Sequence, residues 1–125
     1  MSEARNHTFG RLAGLPVGQA PDGSQIRELA GRSTGLASHS LAVIAHPPGT
    51  TSTAHHHTVA DEIYFVWAGR GRVQVDAEEC SLKAGDTVQI RPGQRHKLWN
   101  DGEEDLVLIV TCAPAYSTDE VVWDE

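Results

Sequence analysis

The chain is expected to fold as an all-β sandwich or barrel, and three observations predict it. From residue 25 onward, short runs rich in Val, Ile, Leu, Thr and aromatic residues alternate with clusters of Gly, Pro, Asp or Ser. No stretch of ten or more residues holds a helical period. Each cluster between the runs carries the chemistry of a chain reversal, because glycine supplies positive φ and proline presets negative φ.

Taken in order, residues 1–24 contain four glycines and two prolines with little alternation, so an irregular N-terminal arm is expected, packed on the barrel or on a partner subunit. The barrel itself is placed at 25–112. Its strands are predicted at 25–29, 40–45, 62–67, 72–76, 80–83, 87–90, 96–100 and 106–112. The breaks are Pro47-Pro48-Gly49, Gly69-Arg70-Gly71, Asp76-Ala77-Glu78, Ala84-Gly85-Asp86, Pro92-Gly93 and Asn100-Asp101-Gly102, short enough for hairpins and an antiparallel topology. Residues 113–125 form a separate C-terminal segment, set over the barrel mouth with Tyr116 or Trp123 as its anchor, although no spacing rule supports that placement.

A length of 125 residues suits one domain with a single core. Hydrophobic residues make up 39% of the chain and charged residues 22%, a balance that argues against a disordered or membrane protein. The apolar run at 106–112 is too short to span a bilayer. Residues 1–10 are polar where a secretory signal would be apolar, so a cytoplasmic location is expected. The net charge is −7 and the ten basic residues are scattered, which removes the electrostatic footprint of nucleic-acid binding. Cys80 and Cys112 are too few for a disulfide scaffold and too far apart for a zinc or redox motif, so both are read as reduced, partly buried thiols.

The segment 55–67 carries most of the chemical information. Alternate side chains of an extended strand share a face, so His55 and His57 can converge on one ion while His56 points away. After a four-residue gap, Glu62, Tyr64 and Val66 fall on one face of the next strand, and Ile63, Phe65 and Trp67 on the other. His96, after the turn at 91–95, offers a third imidazole. Three imidazoles and a carboxylate suit one divalent transition metal, Fe, Mn, Zn, Ni or Co, better than Ca or Mg. Four ligands would close a tetrahedral site; an octahedral one would keep two positions open.

On these residues the sequence resembles the cupins. Gly49, His55, His57, Glu62 and Gly69 meet the first cupin motif, and Gly85, Gly93, His96 and Asn100 meet the second. The pattern departs at Arg91, where the germin-type motif has proline. The resemblance spans residues 49–100. It implies a double-stranded β-helix, a jelly-roll-like barrel, and a metal held by His55, His57, Glu62 and His96. It also implies a homodimer, because cupins often pair barrels edge to edge.

Plainer readings compete. A run of three histidines can be a polar surface loop; the matched Glu62, His96 and glycines argue against that here. His56 is expected to be exposed or hydrogen-bonded, and His7, His39 and His46 to be structural or solvent-facing. Tyr64 can be a packed aromatic with a satisfied hydroxyl, but its place two residues from Glu62 makes it the candidate catalytic residue. Asn100 is expected to satisfy backbone groups. Phe65, Trp67 and Trp99, on the faces opposite the ligands, are expected between the sheets or at an interface. Arg70, Arg72, Arg91 and Arg95 flank the motif turns, where one of them could steer an anionic substrate.

Three neutral imidazoles and one carboxylate leave a divalent ion with one excess positive charge, which favours an oxygen anion at an open position. The expected function is therefore a metal-dependent enzyme acting on a small oxygenated substrate by Lewis-acid and acid–base chemistry, of isomerase, cyclase or lyase type. An iron-dependent dioxygenase and a non-catalytic sugar- or effector-binding module are the alternatives. Fold alone does not rank them.

Overall fold

The computed structural model describes residues 8–19 and 23–125. The chain folds into eleven strands: β1 (Gly18–Gln19), β2 (Gln25–Ala30), β3 (Ser40–His46), β4 (His55–His57), β5 (Asp61–Ala68), β6 (Arg70–Val75), β7 (Glu78–Lys83), β8 (Thr87–Ile90), β9 (His96–Trp99), β10 (Leu106–Ala113) and β11 (Val121–Trp123). They form a six-stranded sheet ordered β1-β2-β3-β10-β5-β8 and a five-stranded sheet ordered β11-β4-β9-β6-β7. Every pairing between these strands is antiparallel. The all-β expectation holds, and the arrangement is a double-stranded β-helix. No helix among the described residues is long and apolar enough to cross a membrane.

The core follows from the two-residue period of a strand. On β10 the inward positions are Leu106, Leu108, Val110 and Cys112, and on β5 they are Glu62, Tyr64 and Val66, all buried. Register places Val110 opposite Tyr64 and Cys112 opposite Glu62. Val73, Leu82 and Leu98 meet them from the second sheet. Polar groups thus gather at the Glu62 and Cys112 end of β5 and β10, while Val66, Leu106 and Leu108 seal the other end. Gly69, at φ +84°, turns β5 into β6 so tightly that a Cβ there would lie 2.3 Å from the Asp105 carbonyl oxygen.

Two features differ from the expectations. Trp67 is 65% exposed, Phe65 is half-buried, and Trp99 lies under the Arg72 guanidinium at 4.5 Å. They sit on the outside of the barrel, which excludes the place between the sheets and leaves the interface alternative, because the face that carries the ligands is itself the interior. Cys80 is exposed on β7, an edge strand of its sheet, whereas Cys112 is buried.

The flanking segments carry strands of their own. Gly18–Gln19 pairs with β2, and Val121–Trp123 pairs with β4, setting Val121 opposite His57 and Trp123 opposite His55. His7 and part of the 1–24 arm lie outside the described residues.

Candidate metal centre

Strand β4 is three residues long and all histidine. Its alternation turns His55 and His57 into a cavity between the sheets, while His56 meets Asp124 at 2.9 Å instead. β9 pairs with β4 at a single register point, His55 opposite His96, which brings the third imidazole beside the other two. The approach to His96 is set by Gly93, at φ +85°, whose amide donates to the His57 carbonyl at 2.7 Å. Glu62 enters from β5 on the facing sheet.

The ligand atoms of His55, His57 and His96 all lie within 4.8 Å of one another. Glu62 Oε1 lies 3.4 Å from His57 Nε2 and 3.2 Å from His96 Nε2. Two ligands each about 2.1 Å from one ion are separated by about 3.0 Å at a right angle and about 3.4 Å at the tetrahedral angle. The carboxylate contacts therefore have the spacing of neighbours around a common cation. Among the described residues, His57 Nε2, His96 Nε2 and Glu62 Oε1 are buried side-chain atoms without a hydrogen-bond partner. Burying such atoms unpaired is costly, and a cation between them would remove the cost. The donor set fits a divalent transition ion.

The far nitrogens of the rings are all engaged. His55 Nδ1 is 2.9 Å from the Thr53 carbonyl oxygen, and His96 Nδ1 is 3.0 Å from that of Gln94. His57 Nδ1 is 2.5 Å from Glu120 Oε2. Glu120 was not among the residues that the sequence suggested, and no local spacing links it to residue 57.

Electrostatics divide the three rings. Burial, then the neighbouring His96, lowers the pKa of His55. For His57 burial acts in the same direction, but Glu62 and then Glu120 outweigh it and raise the value to about 9. Burial would raise Glu62, yet its contacts with His57 and His96 hold it down at about 2. Without an ion, the centre thus keeps its carboxylate ionised and a proton on His57. Cys112, 3.5 Å from Glu62 Oε2, is pushed well above the ordinary thiol range by burial and then by that carboxylate.

The cavity beside these residues holds about 100 Å³ and is lined largely by apolar side chains, Ile26, Ala42, Ile44, Leu98 and Val110 among them. Tyr64 reaches it, with its ring 6.1 Å from that of His96. So do Tyr116 and Trp123 of the C-terminal segment, whose rings lie 6.2 Å from His57 and 5.2 Å from His55. His46, read from sequence as structural or solvent-facing, is buried and lines the same cavity. None of Arg70, Arg72, Arg91 and Arg95 does. Arg72 pairs with Glu79 and Asp101, and Arg95 with Glu125.

Residues 42–112 match the Cupin domain model, Cupin_2, and the chain belongs to the cupin family. An uncharacterized protein of Methanocaldococcus jannaschii is 37% identical over 101 residues, which is 79% of this chain and 80% of that protein. The tetracenomycin polyketide synthase protein TcmJ of Streptomyces glaucescens is 29% identical over 82 residues, 66% of this chain and 55% of that protein. The oxalate-binding protein of Thermotoga maritima is 33% identical over 60 residues, 48% of this chain and 50% of that protein. The chain thus matches about half the length of these last two relatives. Among solved structures, KdgF from Halomonas sp. superposes with a TM-score of 0.78 at 20% identity, covering 90% of this chain and 97% of that one, a likeness of fold.

Proposed function

We propose that the protein is a metal-dependent cupin enzyme in which His55, His57, Glu62 and His96 hold one divalent transition ion, Fe, Mn, Zn, Ni or Co. Its substrate is a small oxygenated organic molecule, turned over by acid–base chemistry of isomerase, cyclase or lyase type. The observation that carries this reading is the convergence of three buried, unpartnered atoms, His57 Nε2, His96 Nε2 and Glu62 Oε1.

A bound divalent ion supplies Lewis acidity, drawing electron density from a carbonyl or carboxylate oxygen and so acidifying an adjacent C–H bond. The protein residues do the rest. The apolar wall of Ile26, Ile44 and Val110 excludes water and strengthens every charge interaction inside. Tyr64, whose side chain lines this cavity, is the residue that holds or moves a proton in this reading. Burial, then Glu62, raises the pKa of Tyr116, which keeps its phenol protonated and able to donate. The small cavity favours a compact substrate, and the relatives that are polyketide synthase proteins support carbonyl chemistry.

The oxalate-binding relative supports a second reading, capture of a small carboxylate without turnover. Candidate substrates offered to the metal-loaded protein with and without dioxygen decide between them. Turnover without dioxygen is the expected result. Strict dependence on dioxygen would replace acid–base chemistry with dioxygenase chemistry, and tight binding without turnover would establish the binding module.

Pairing of two barrels is part of this reading. Ile63 and Trp67 expose apolar surface on the outer face of β5, 44% and 65% exposed. Sedimentation of the native chain should give twice the monomer mass, and a monomer at all concentrations would exclude it.

A further inference from the structure

The C-terminal segment does more than line the cavity with Tyr116 and Trp123. Glu120 ends the 3-10 turn Thr118–Glu120 and leads directly into β11. Its carboxylate is held from two sides. Oε1 accepts the backbone amides of Val59 and Ala60, each at 2.9 Å, and Oε2 meets His57 Nδ1. Its own carbonyl accepts the Thr58 amide at 3.0 Å, and Val121, the next residue, is in register with His57. The side chain is 14% exposed, so water competes weakly for these contacts.

A neutral imidazole has two tautomers, and only one leaves Nε2 with a free lone pair. His55 and His96 secure that tautomer locally, each through the carbonyl two residues before it. For His57 the acceptor comes from 63 residues further along the chain. A carboxylate also fixes the ring plane and raises the basicity of the ligating nitrogen more than a neutral carbonyl would.

We propose that Glu120 is a positioning residue for His57: braced by the Val59 and Ala60 amides, it accepts the Nδ1–H and aims Nε2 into the centre, making the C-terminal segment an integral part of the site. This rests on the metal reading above and extends it to a residue outside both histidine motifs.

The test compares the unaltered chain with its Glu120→Ala, Glu120→Gln, Asp119→Ala and His57→Ala variants. Zinc affinity is measured by competition with a chelator at fixed pH, and the cobalt-substituted proteins are examined by proton NMR. Glu120→Ala should weaken zinc binding about 10–100-fold. Glu120→Gln keeps an acceptor for His57 but sets an amide against the two backbone donors, so its loss should be smaller. Asp119→Ala should bind as wild type. In the cobalt protein, Glu120→Ala should lose one exchangeable imidazole N–H signal to rapid exchange with water, while those of His55 and His96 persist on their carbonyl partners.

Glu120→Ala with zinc affinity within about threefold of wild type, or with all three N–H signals retained, overturns the proposal, even if the metal-free protein melts lower. Should Glu120→Ala fail to fold, Glu120→Leu, which keeps the bulk without an acceptor, takes its place, and unchanged affinity and signals in it overturn the proposal equally. A wild-type chain that binds zinc no better than His57→Ala removes the metal reading and this proposal together, whereas tight wild-type binding unaffected by Glu120 removes this proposal alone.

Discussion

His96 Nε2, on β9, and Glu62 Oε1, on β5, meet at 3.2 Å from opposite sheets of the barrel. The centre therefore joins the two layers, with the three imidazoles on one and the carboxylate on the other. An ion held there would link the sheets as well as the side chains.

Loss of one imidazole should accordingly be felt in both binding and stability. His57→Ala and His96→Ala should each lose the ion, whereas His56→Ala, which breaks only the contact with Asp124, should keep it. Elemental analysis after gel filtration measures this. The wild-type melting temperature should fall on chelation, because a ligand bound only by the native state stabilises it. Equal metal loss in all three variants would show that the alternation of β4 is not what selects the ligands.

The metal-free protein should have a bounded pH range of stability. The His57 pKa is raised from 6.5 to about 9, so its contribution is complete below pH 6.5 and disappears as the pH rises through about 9. The Glu62 pKa is lowered from 4.5 to about 2, so its contribution is complete above pH 4.5 and disappears as the pH falls towards about 2. Melting temperatures of the chelated protein should peak between pH 4.5 and 6.5, and His57→Ala should flatten the alkaline limb.

Metal uptake should release protons. At pH 7 the metal-free His57 carries a proton that its Nε2 must give up to ligate, so binding should expel about one proton per ion. Calorimetry in two buffers of different ionisation enthalpy reads this directly. Release close to zero would mean that His57 is already neutral.

Asn100 provides a test away from the chemistry. Its Nδ2 donates to the carbonyls of His46 and Glu104, each at 2.8 Å, and its Oδ1 accepts the Gly102 amide. Asn100→Ala leaves buried backbone groups unpaired and should cost about 1–3 kcal/mol in denaturant unfolding, with metal affinity unchanged.

Much of this architecture was legible in the amino-acid order. The period of two along 62–67 groups Glu62, Tyr64 and Val66 on one face of β5, as the structure does, whereas 106–112 reads as a continuous apolar run that marks a strand without dividing its faces. The same rule orients His55, His56 and His57, and the separate expectation that Asn100 satisfies backbone groups is met. Trp67 and Phe65 were given the right face, but of the two places expected for them the one between the sheets is excluded by their exposure: alternation separates two faces without saying which one is inside. Glu120 was illegible for another reason. Its partner lies across the sheet, and a carboxylate in an acidic segment carries no local mark of being held by distant amides. The short strands Gly18–Gln19 and Val121–Trp123 escaped likewise, since two or three residues are too few to establish a period.

Cys112 lines the same cavity as His55 and His57. Because burial and the Glu62 carboxylate keep it protonated, it offers no thiolate, the form that ligates soft cations and reacts with oxidants. The interior thus presents nitrogen and oxygen alone to an arriving ion. Burial first, and then the neighbouring negative charge, hold that sulfur in its less reactive form.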